Sequence, residues 1–482
     1  MQNYLRAILK YTTLNVLSFI FLACSAKLPD TNSLTKSIKS DFNNTNLIYL
    51  SDPKAPQNFS TNPKEQMELL FLDSNLNTLL ETALKKNLDL QIASTRILQA
   101  QSQLKSSIGS LFPKIDGNLN ANTNKIRTNT TPAIKSNTYN AQIGATLSWE
   151  LDLFGRLRHD RNAKESLYQK SLQDLENIKI TLFADIAASY FTLLEAKLNL
   201  ILTQENILYY QEALELTRLK VENGLLDSTE LFEKQNLLTE EQNTLQRLKT
   251  IQEENKNALL ILLDSNELPI EILQNIPTPK THFSLTNLPA NTLLSRPDIK
   301  AALFSLYAQI YIKANAKASL FPIISISANI SQILDSNTQA SGNLAWGLAS
   351  SLGAPIFNRT QLTQNYFLQD ALLKESYLTL QKSIKNAFFE IENTSFNVNS
   401  AHLQLKNNQM RLQNAQNYYN FSLNRHSVGL IDSREHTLNS ASLNNAKKSL
   451  NTTKIETLKT LITLYKAFGG NLNLYKDSNA NN

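Results

Sequence analysis

Four long stretches of the chain contain neither glycine nor proline, and this limits the folds open to it. Compact domains, whose connecting loops have a median length of about 4–6 residues, need more turn residues than this. Residues that favour helices, above all Leu, Lys, Glu, Gln and Ala, fill the stretches, which therefore predict very long helices. The stretches lie between Gly155 and Gly224, Gly224 and Pro269, Pro355 and Gly429, and Gly429 and Gly469.

The spacing of apolar residues within these stretches is helical. Leu172, Leu175, Leu182, Ile186 and Leu193 follow one another in steps of three, four or seven residues, which keeps them on one face of a helix. A single helix over the first stretch would be about 100 Å long at about 1.5 Å per residue. The predicted helices are Arg156–Asn223 and Thr360–Val428, the return helices Ser228–Leu263 and Ser433–Phe468, and the leading helices Leu76–Gly109 and Arg296–Ser319.

Apolar and polar residues alternate in four other segments, and this period of two predicts strands with one apolar face. The expected strands form two hairpins with polar loops near 122–138 and 332–341. At about 10–13 residues they approach the length of membrane strands. The alternating apolar positions include Ile115 and Leu119, Ala141 to Leu153, Ile324 to Ile330, and Leu344 to Leu352.

The chain repeats itself at an offset of slightly more than 200 residues. The segment "VENGLLDSTEL", starting at Val221, resembles "HSVGLIDSREH", starting at His426. "SLFP" occurs at Ser110 and again at Ser319, and "ELDLFGR" from Glu150 matches "LGAPIFNR". One duplicated unit of strands and helices explains these matches, because the period is too long for a solenoid repeat.

Each copy of the repeated turn has the residues of a tight helical hairpin. Gly224 and Gly429 fit the position after a helix end, where a positive φ is needed. An aspartate three residues later fits the N-cap of the return helix, and a glutamate three residues further on completes a capping box. These pairs are Asp227 with Glu230 and Asp432 with Glu435.

Composition and motifs exclude several classes of function. The 47 basic and 41 acidic residues leave a formal charge of +6, and no basic run contains interleaved aromatics, so nucleic-acid binding is not expected. The five histidines have no metal-ligand spacing, and the chain contains neither a nucleophile elbow nor a phosphate loop. We expect no enzyme activity, no cofactor and no metal site.

The N-terminus has the features of an export signal. Arg6 and Lys10 precede the short apolar run "LNVLSFIFLAC", which is too short to span a bilayer as a helix. Cys24, the single cysteine, either becomes the lipidated N-terminus of a lipoprotein after removal of residues 1–23 or is incidental to an ordinary signal peptide. Lipidation is the favoured interpretation, and Ser25 resembles an outer-membrane sorting residue. We expect no other helical membrane span.

The predicted strands are too few for a membrane barrel. Single-chain barrels begin at about eight strands, and an open sheet edge in lipid leaves backbone groups unpaired. Several copies must therefore combine their strands, and the helical hairpins would pack side by side as a tube below the resulting barrel.

The motifs resemble those of TolC-type outer-membrane channels, of the lipoprotein branch that serves resistance-nodulation-division (RND) efflux pumps. The resemblance covers residues 70–470, in order. It is carried by the segments "FLDSNLNTLLETALKKNLDLQIASTRILQAQSQL", "WELDLFGRLR", "LLSRPDIKAA", "SLFP" and "VGLIDSRE".

This resemblance implies an α+β membrane protein that acts as a passive exit duct. It implies a homotrimer in which three copies of four strands form a twelve-stranded outer-membrane β-barrel, continued by a periplasmic α-helical barrel. It also implies a periplasmic adaptor that docks on the hairpin tips and an inner-membrane RND transporter. The expected segments are the signal 1–23, an N-terminal arm 24–69, repeats 70–270 and 293–470 around a linker 271–292, and a tail 471–482.

The hairpin tips supply the candidate functional residues. In a trimer, Asp227 and Asp432 would form two rings of carboxylates that favour cations and help to keep the aperture closed, while simple helix capping is the alternative. Arg434 is a candidate partner between helices. Leu225, Leu430 and Ile431 are candidates for adaptor docking or, alternatively, for packing between hairpins.

Two tryptophans are candidates for the edge of the membrane region. Indole rings are enriched at lipid–water boundaries, so Trp149 and Trp346 are candidates for that position. A buried position where the strands meet the helices is the alternative for both.

Two other functions remain open. The chain could be the outer-membrane duct of a type I protein secretion system. It could also be a structural coiled-coil lipoprotein without a pore, which predicts no strands.

Overall fold

The computed structural model describes residues 63–71, 73–127, 135–271, 275–277, 290–335 and 343–470. The signal segment, Cys24, nearly all of the N-terminal arm, the tail 471–482 and part of the linker lie outside the described residues. Long helices and one sheet account for most of the described residues. In chain order the elements are α1 (Pro63–Phe71), α2 (Ser74–Lys86), α3 (Leu88–Gly109), β1 (Lys114–Arg127), β2 (Lys135–Leu151), α4 (Arg156–Glu222), α5 (Ser228–Leu263), a 3₁₀ helix (Ala290–Ser295), α6 (Pro297–Ala318), β3 (Ile323–Asp335), β4 (Asn343–Gly353), α7 (Arg359–Ser427) and α8 (Ser433–Ala467).

The long helices are continuous, as their lack of glycine and proline predicts. α4 has 67 residues and α7 has 69, so each is about 100 Å long. Both end at a glycine, and both are followed by a return helix of about half their length.

The leading helix of the first repeat is broken, which the sequence analysis did not anticipate. Instead of one helix over Leu76–Gly109, α2 ends and α3 begins around Asn87, which has ψ 128°. The Asn87 side chain stabilises the break because its Oδ1 accepts the Leu90 N–H and its Nδ2 donates to the Leu262 carbonyl. Asparagine favours such local hydrogen bonds over helix interior positions.

The four strands form one antiparallel sheet in the order β1-β2-β3-β4. The two hairpins join because β2 pairs with β3, with Trp149 opposite Ile326. β1 and β4 are the edge strands. The structural coiled-coil alternative is wrong, because it predicts no strands.

Two of the strands extend further than the alternating pattern indicated. β1 continues to Arg127 and β2 begins at Lys135, within a segment that the sequence analysis assigned to a polar loop. The extension of β1 contains the neighbouring polar residues Asn122 and Thr123, which point to opposite faces, so both faces carry polar residues there. A period of two in hydrophobicity cannot be seen where neither face is apolar.

The described residues fall into two compact units. The first contains residues 95–172 and 301–381 and includes the whole sheet. Where α4 begins in this unit, Asp152 accepts the N–H groups of Leu157 and Arg158, and the Arg156 guanidinium contacts Glu150 at 2.7 Å.

The second unit contains the hairpin ends and the helices packed against them, and its described residues lie within 63–94, 173–300 and 382–470. Its core is closely packed around Tyr190, which is fully buried and donates its hydroxyl to Asp73 at 2.9 Å. Asp73 also caps α2 through the N–H groups of Asn75 and Leu76. Its largest buried side chains include Phe71, Phe183, Phe191 and Tyr465.

One described helix, Arg156–Glu222, contains a stretch long and apolar enough to cross a membrane. From the sequence we expected no such stretch after the signal segment. Half of this stretch is buried inside the protein, and core helices of soluble proteins can have the same length and apolar composition.

Candidate functional site: the hairpin tips and the sheet face

The two hairpin tips are built by the same backbone geometry. Gly224 has φ +68° and Gly429 has φ +75°, the left-handed conformation that ends many helices. Leu225 donates its N–H to the Lys220 carbonyl at 2.8 Å, which closes the first helix end. A Cβ added at either glycine would meet nothing within 4 Å, so the backbone angle alone requires glycine here.

Asp227 and Asp432 are the N-caps of the two return helices. Asp227 accepts the Thr229 N–H at 2.7 Å, and Asp432 accepts the Glu435 N–H at 2.8 Å. These hydrogen bonds satisfy N–H groups that have no partner within the helix. The Thr229 hydroxyl and N–H also lower the pKa of Asp227 below its ordinary value.

Asp432 has a second contact, because it forms an ion pair with Lys220 near the end of α4. This pair joins the two hairpins of one chain. Partial burial acts to raise the pKa of Asp432, but the Lys220 ammonium and the Glu435 N–H outweigh it, and the net effect is a lowered pKa. The carboxylate therefore stays charged at neutral pH.

A second ion pair joins the same hairpins. The Arg434 guanidinium lies 3.2 Å from the Glu230 carboxylate, with the Lys234 ammonium 4.0 Å away on the same helix. The spacing to Asp227 predicts a capping-box role for Glu230, whereas its carboxylate faces Arg434. Glu435 contributes its backbone N–H to the Asp432 cap.

Polar contacts continue between the hairpins away from the tips, and the sequence analysis missed them. Lys448 and Glu241 form an ion pair of 2.5 Å, with side-chain exposures of 17% and 11%. Asn206 donates to both Glu241 and Asn445. Further bonds between α4 and α8 join Glu195 and Asn199 to Thr452, Asn451 to Asn199, and Asn444 to Glu205. Only the packing of α4, α5 and α8 against one another brings these residues together, so local pattern could not reveal them.

Two histidines are stacked just inside the second tip. The rings of His426 and His436 are 5.0 Å apart at an angle of 17°, and Tyr419 lies 5.6 Å from His436. Burial lowers the pKa of His436, and nearby His426 adds to this, while Glu212 acts in the opposite direction. Among the described residues no group of three or more potential ligands could hold a metal ion.

The candidate docking residues differ in exposure. Leu225 and Leu430 are 71% and 67% exposed, whereas Ile431 is 8% exposed. Ile431 therefore packs inside the chain and offers no surface to a partner. Gly224 and Gly429 shape the loops that carry the two exposed leucines.

The two tryptophans occupy different environments in the first unit. Trp149 is half-buried, and its indole N–H donates to the Leu111 carbonyl at 3.1 Å, which fits the alternative of a buried junction position. Trp346 on β4 is 77% exposed. It belongs to an exposed apolar face of the sheet that also includes Ile115, Leu119, Ile143, Ile330, Leu344, Leu348 and Leu352.

Curated relatives of the chain are outer-membrane parts of efflux pumps. The solvent efflux pump outer membrane protein SrpC of Pseudomonas putida is 27% identical over 408 residues, which cover 83% of this chain and 86% of SrpC. The cation efflux system protein CusC of Escherichia coli is 25% identical over 325 residues, 67% of this chain and 70% of CusC.

Solved outer-membrane channels share the fold. The CmeC channel of Campylobacter jejuni has a TM-score of 0.78 at 24% identity and covers 92% of this chain and 94% of its own. The open state of the MtrE channel of Neisseria gonorrhoeae has a TM-score of 0.75 at 21% identity, with 93% and 98% covered. Because the family described as outer membrane efflux protein also matches residues 79–264 and 288–470, the chain belongs to that family and is an outer-membrane efflux channel.

Proposed function

We propose that three copies of the chain form a passive exit duct across the outer membrane. The observation that carries this proposal is the open four-stranded sheet, in which β1 and β4 are edge strands and the exposed face is apolar. A lipid environment requires every backbone group to be paired. Closing three such sheets edge to edge gives a twelve-stranded barrel, above the minimum of about eight strands.

The exposed apolar face supports a lipid-facing outer surface. Trp346, Leu348 and Leu352 are each more than two-thirds exposed, a cost in water that contact with lipid chains removes. Trp346 is the tryptophan proposed for the membrane face, and Trp149 is proposed for the junction with the helices. If Cys24 is lipidated, its acyl chains add an anchor to the same membrane.

The hairpin tips are the proposed periplasmic gate. The Lys220–Asp432 and Arg434–Glu230 ion pairs hold the two hairpins of one chain together. In a trimer, Asp227 and Asp432 form rings of negative charge that favour cations. Breaking the inter-hairpin ion pairs is the step that opens this gate.

A periplasmic adaptor is the proposed partner at the tips, and an inner-membrane RND transporter supplies the energy. Leu225 and Leu430 offer small exposed apolar contacts, each on a loop that protrudes beyond a helix end. The chain itself needs no energy-coupling site for this role.

The proposed cargo is a set of small toxic compounds. The relatives' names specify solvents, toluene, antibiotics and cations, and a passive duct accepts what its pump delivers. Type I protein secretion is the second candidate. It predicts loss of an exported protein, rather than increased drug sensitivity, when the gene is deleted.

The experiment has two parts. Purified protein in detergent is expected to have the mass of three chains, and to give ion conductance when reconstituted in planar bilayers. A protein that remains a single chain without conductance overturns the proposal. Gene deletion is then expected to lower the tolerated concentrations of several antibiotics, solvents or metal cations, and re-expression of the full chain restores them.

A further inference from the structure

A pair of stacked phenylalanines lies at the base of the sheet, where the two repeats meet inside one chain. The rings of Phe154 and Phe321 are 4.9 Å apart and nearly parallel, at 12°. Both side chains are half-buried. Phe154 follows β2 in "ELDLFGR", and Phe321 precedes β3 in "SLFP".

This stack continues the register of the strands above it. At the end of the β2–β3 ladder, Leu151 lies opposite Ile324. Phe154 is three residues beyond Leu151, and Phe321 is three residues before Ile324. The two rings therefore stand where the next positions of the same ladder would place them, and the stack marks the register of the β2–β3 junction.

The duplicated sequence contains the same two phenylalanines a second time. Phe357 in "LGAPIFNR" matches Phe154, and Phe112 in the first "SLFP" matches Phe321. In the single chain these rings lie at the bases of the two edge strands, and they are 101% and 64% exposed. The chain thus has one stack inside and both halves of a second stack on its two open edges.

We propose that Phe357 of one copy stacks on Phe112 of the next copy, and that this stack sets the register in which β4 pairs with β1 across the junction between copies. The inference rests on the proposed trimer and assigns the residues that join it. We assume that the second stack continues the pairing of its two strands in the same way as the first stack does. Antiparallel pairing then places Leu352 opposite Gly117, Ser351 opposite Asn118 and Ser350 opposite Leu119.

The two faces of the sheet agree with this register. On β4 the apolar face carries Leu344, Leu348 and Leu352, while on β1 it carries Ile115 and Leu119. The proposed pairing brings these two sets onto the same face. If β4 slipped by one residue along β1, the apolar residues of one strand would lie on the polar face of the other. The two faces therefore exclude registers shifted by an odd number of residues. Among registers shifted by an even number, the phenylalanine stack selects one.

Paired cysteines test the register directly. S351C with N118C, on one face, and S350C with L119C, on the other, are expected to give covalent dimers and trimers on oxidation. Directly opposite residues have Cβ atoms about 4.5–5.5 Å apart, near disulfide range, whereas diagonal neighbours are farther apart. The slipped pairs S351C with N120C and S351C with D116C are the matched controls, and each single-cysteine variant controls for the natural Cys24.

The results separate the register from the assembly. Greater cross-linking in a slipped pair overturns the register while leaving the trimer intact. A trimeric mass with no cross-link in any of these pairs overturns the β4–β1 pairing. A single-chain mass overturns both the inference and the proposed assembly.

Leucine variants test the stack itself. F357L and F112L each remove one ring of the junction between copies, and F154L is the control that removes a ring within the chain. We expect F357L to speed dissociation of the trimer in detergent by about two- to tenfold per junction, with unchanged helix and strand content. The double variant F112L/F357L should dissociate no faster than the single ones. Multiplying effects, or no effect of F112L, would overturn the stack.

Discussion

Lys220 forms an ion pair with Asp432, which joins the end of α4 in the first hairpin to the N-cap of α8 in the second. The two side chains are 34% and 37% exposed, and pairs of this kind contribute at most about 1 kcal/mol to stability. The pair therefore matters less for folding than for the spacing of the two hairpins. A weak contact between two hairpins suits the proposed gate.

The first prediction separates the two roles of Asp432. Asn caps a helix about as well as Asp but cannot pair with Lys220. Asp432→Asn is therefore expected to change the free energy of unfolding by less than about 1 kcal/mol while raising the resting conductance in planar bilayers. Asp432→Ala loses the cap as well, at a further cost of about 1 kcal/mol.

Asp227→Asn is the matched comparison, because it removes a ring carboxylate at the equivalent tip while Asp227 bonds Thr229 within its own hairpin. It should therefore raise the resting conductance less than Asp432→Asn. Lys220→Met should reproduce the leak of Asp432→Asn, and the double variant should leak no more than either single one. Resting conductance equal to that of the unchanged protein in both single variants would rule out this pair as part of the gate.

The second prediction concerns the buried ion pair between Glu241 and Lys448. Glu241→Gln leaves the Lys448 ammonium without its counter-charge in a site where both side chains are mostly buried. We expect a loss of about 2–4 kcal/mol in the free energy of unfolding, somewhat below the usual range for fully buried pairs. The measurement is chemical denaturation followed by circular dichroism.

The matching double variant is Glu241→Leu with Lys448→Met, which removes both charges. Replacing a buried pair by apolar side chains is often nearly neutral, so this variant should be more stable than Glu241→Gln. If the double variant were less stable than the single one, the hydrogen bonds to Asn206 and Thr203 would be more important than the pair of charges.

Local sequence patterns were sufficient for the four helices of the two long hairpins and for their tips, because helix spacing and cap residues act within a few positions. Gly429 and Asp432 illustrate this, since a positive φ and an N-cap each leave a clear residue preference. The alternation of apolar residues likewise gave the centres of all four strands. It did not predict their polar ends, where Asn122 of β1 pairs with residue Asn140 of β2.

The contacts between hairpins could not be predicted in the same way. Glu230 was assigned to a capping box from its spacing to Asp227, but its carboxylate forms an ion pair with Arg434, which is distant in the sequence. Ile431 was grouped with Leu430 because both are apolar and adjacent, yet only Leu430 is exposed. Both differences depend on which helices pack together, which a pattern of a few residues does not determine.

The third prediction uses the two tryptophans, which are the only ones in the chain. In Trp149→Phe the remaining indole is Trp346 on the exposed apolar face, and its fluorescence should be strongly quenched by brominated lipid chains. In Trp346→Phe the remaining indole is Trp149, hydrogen-bonded to Leu111, and quenching should be several-fold weaker. Trp149→Phe should also cost about 1 kcal/mol, because the partly buried hydrogen bond to the Leu111 carbonyl is lost.

Soluble iodide provides the control for this measurement, since it quenches indoles exposed to water. A Trp346 indole quenched by iodide but not by brominated lipid would place this face of the sheet in water. That result would contradict the lipid-facing assignment while leaving the fold unchanged.

The fourth prediction is a dependence of the second tip on pH. His436 faces His426, Tyr419 and Glu212, and burial lowers its pKa from the ordinary value of about 6.5. The unfolded tip therefore binds more protons than the folded tip between the two pKa values. The stability that the tip gains from a neutral His436 is fully present above the unfolded-state pKa of about 6.5. It is lost as the pH falls from there toward the lowered pKa of the folded state.

Hydrogen exchange of the amides around residues 426–440 measures this effect, with intrinsic rates corrected at each pH. Protection should be lower at about pH 5.5 than at about pH 8, and His436→Phe, which keeps an aromatic ring without the charge, should abolish the difference. His402→Phe, on α7 and away from the tip, should retain it. A pH dependence that survives in His436→Phe would mean that other groups at the tip cause it. Asp432 would not be one of them, because its lowered pKa places its titration in a more acidic range.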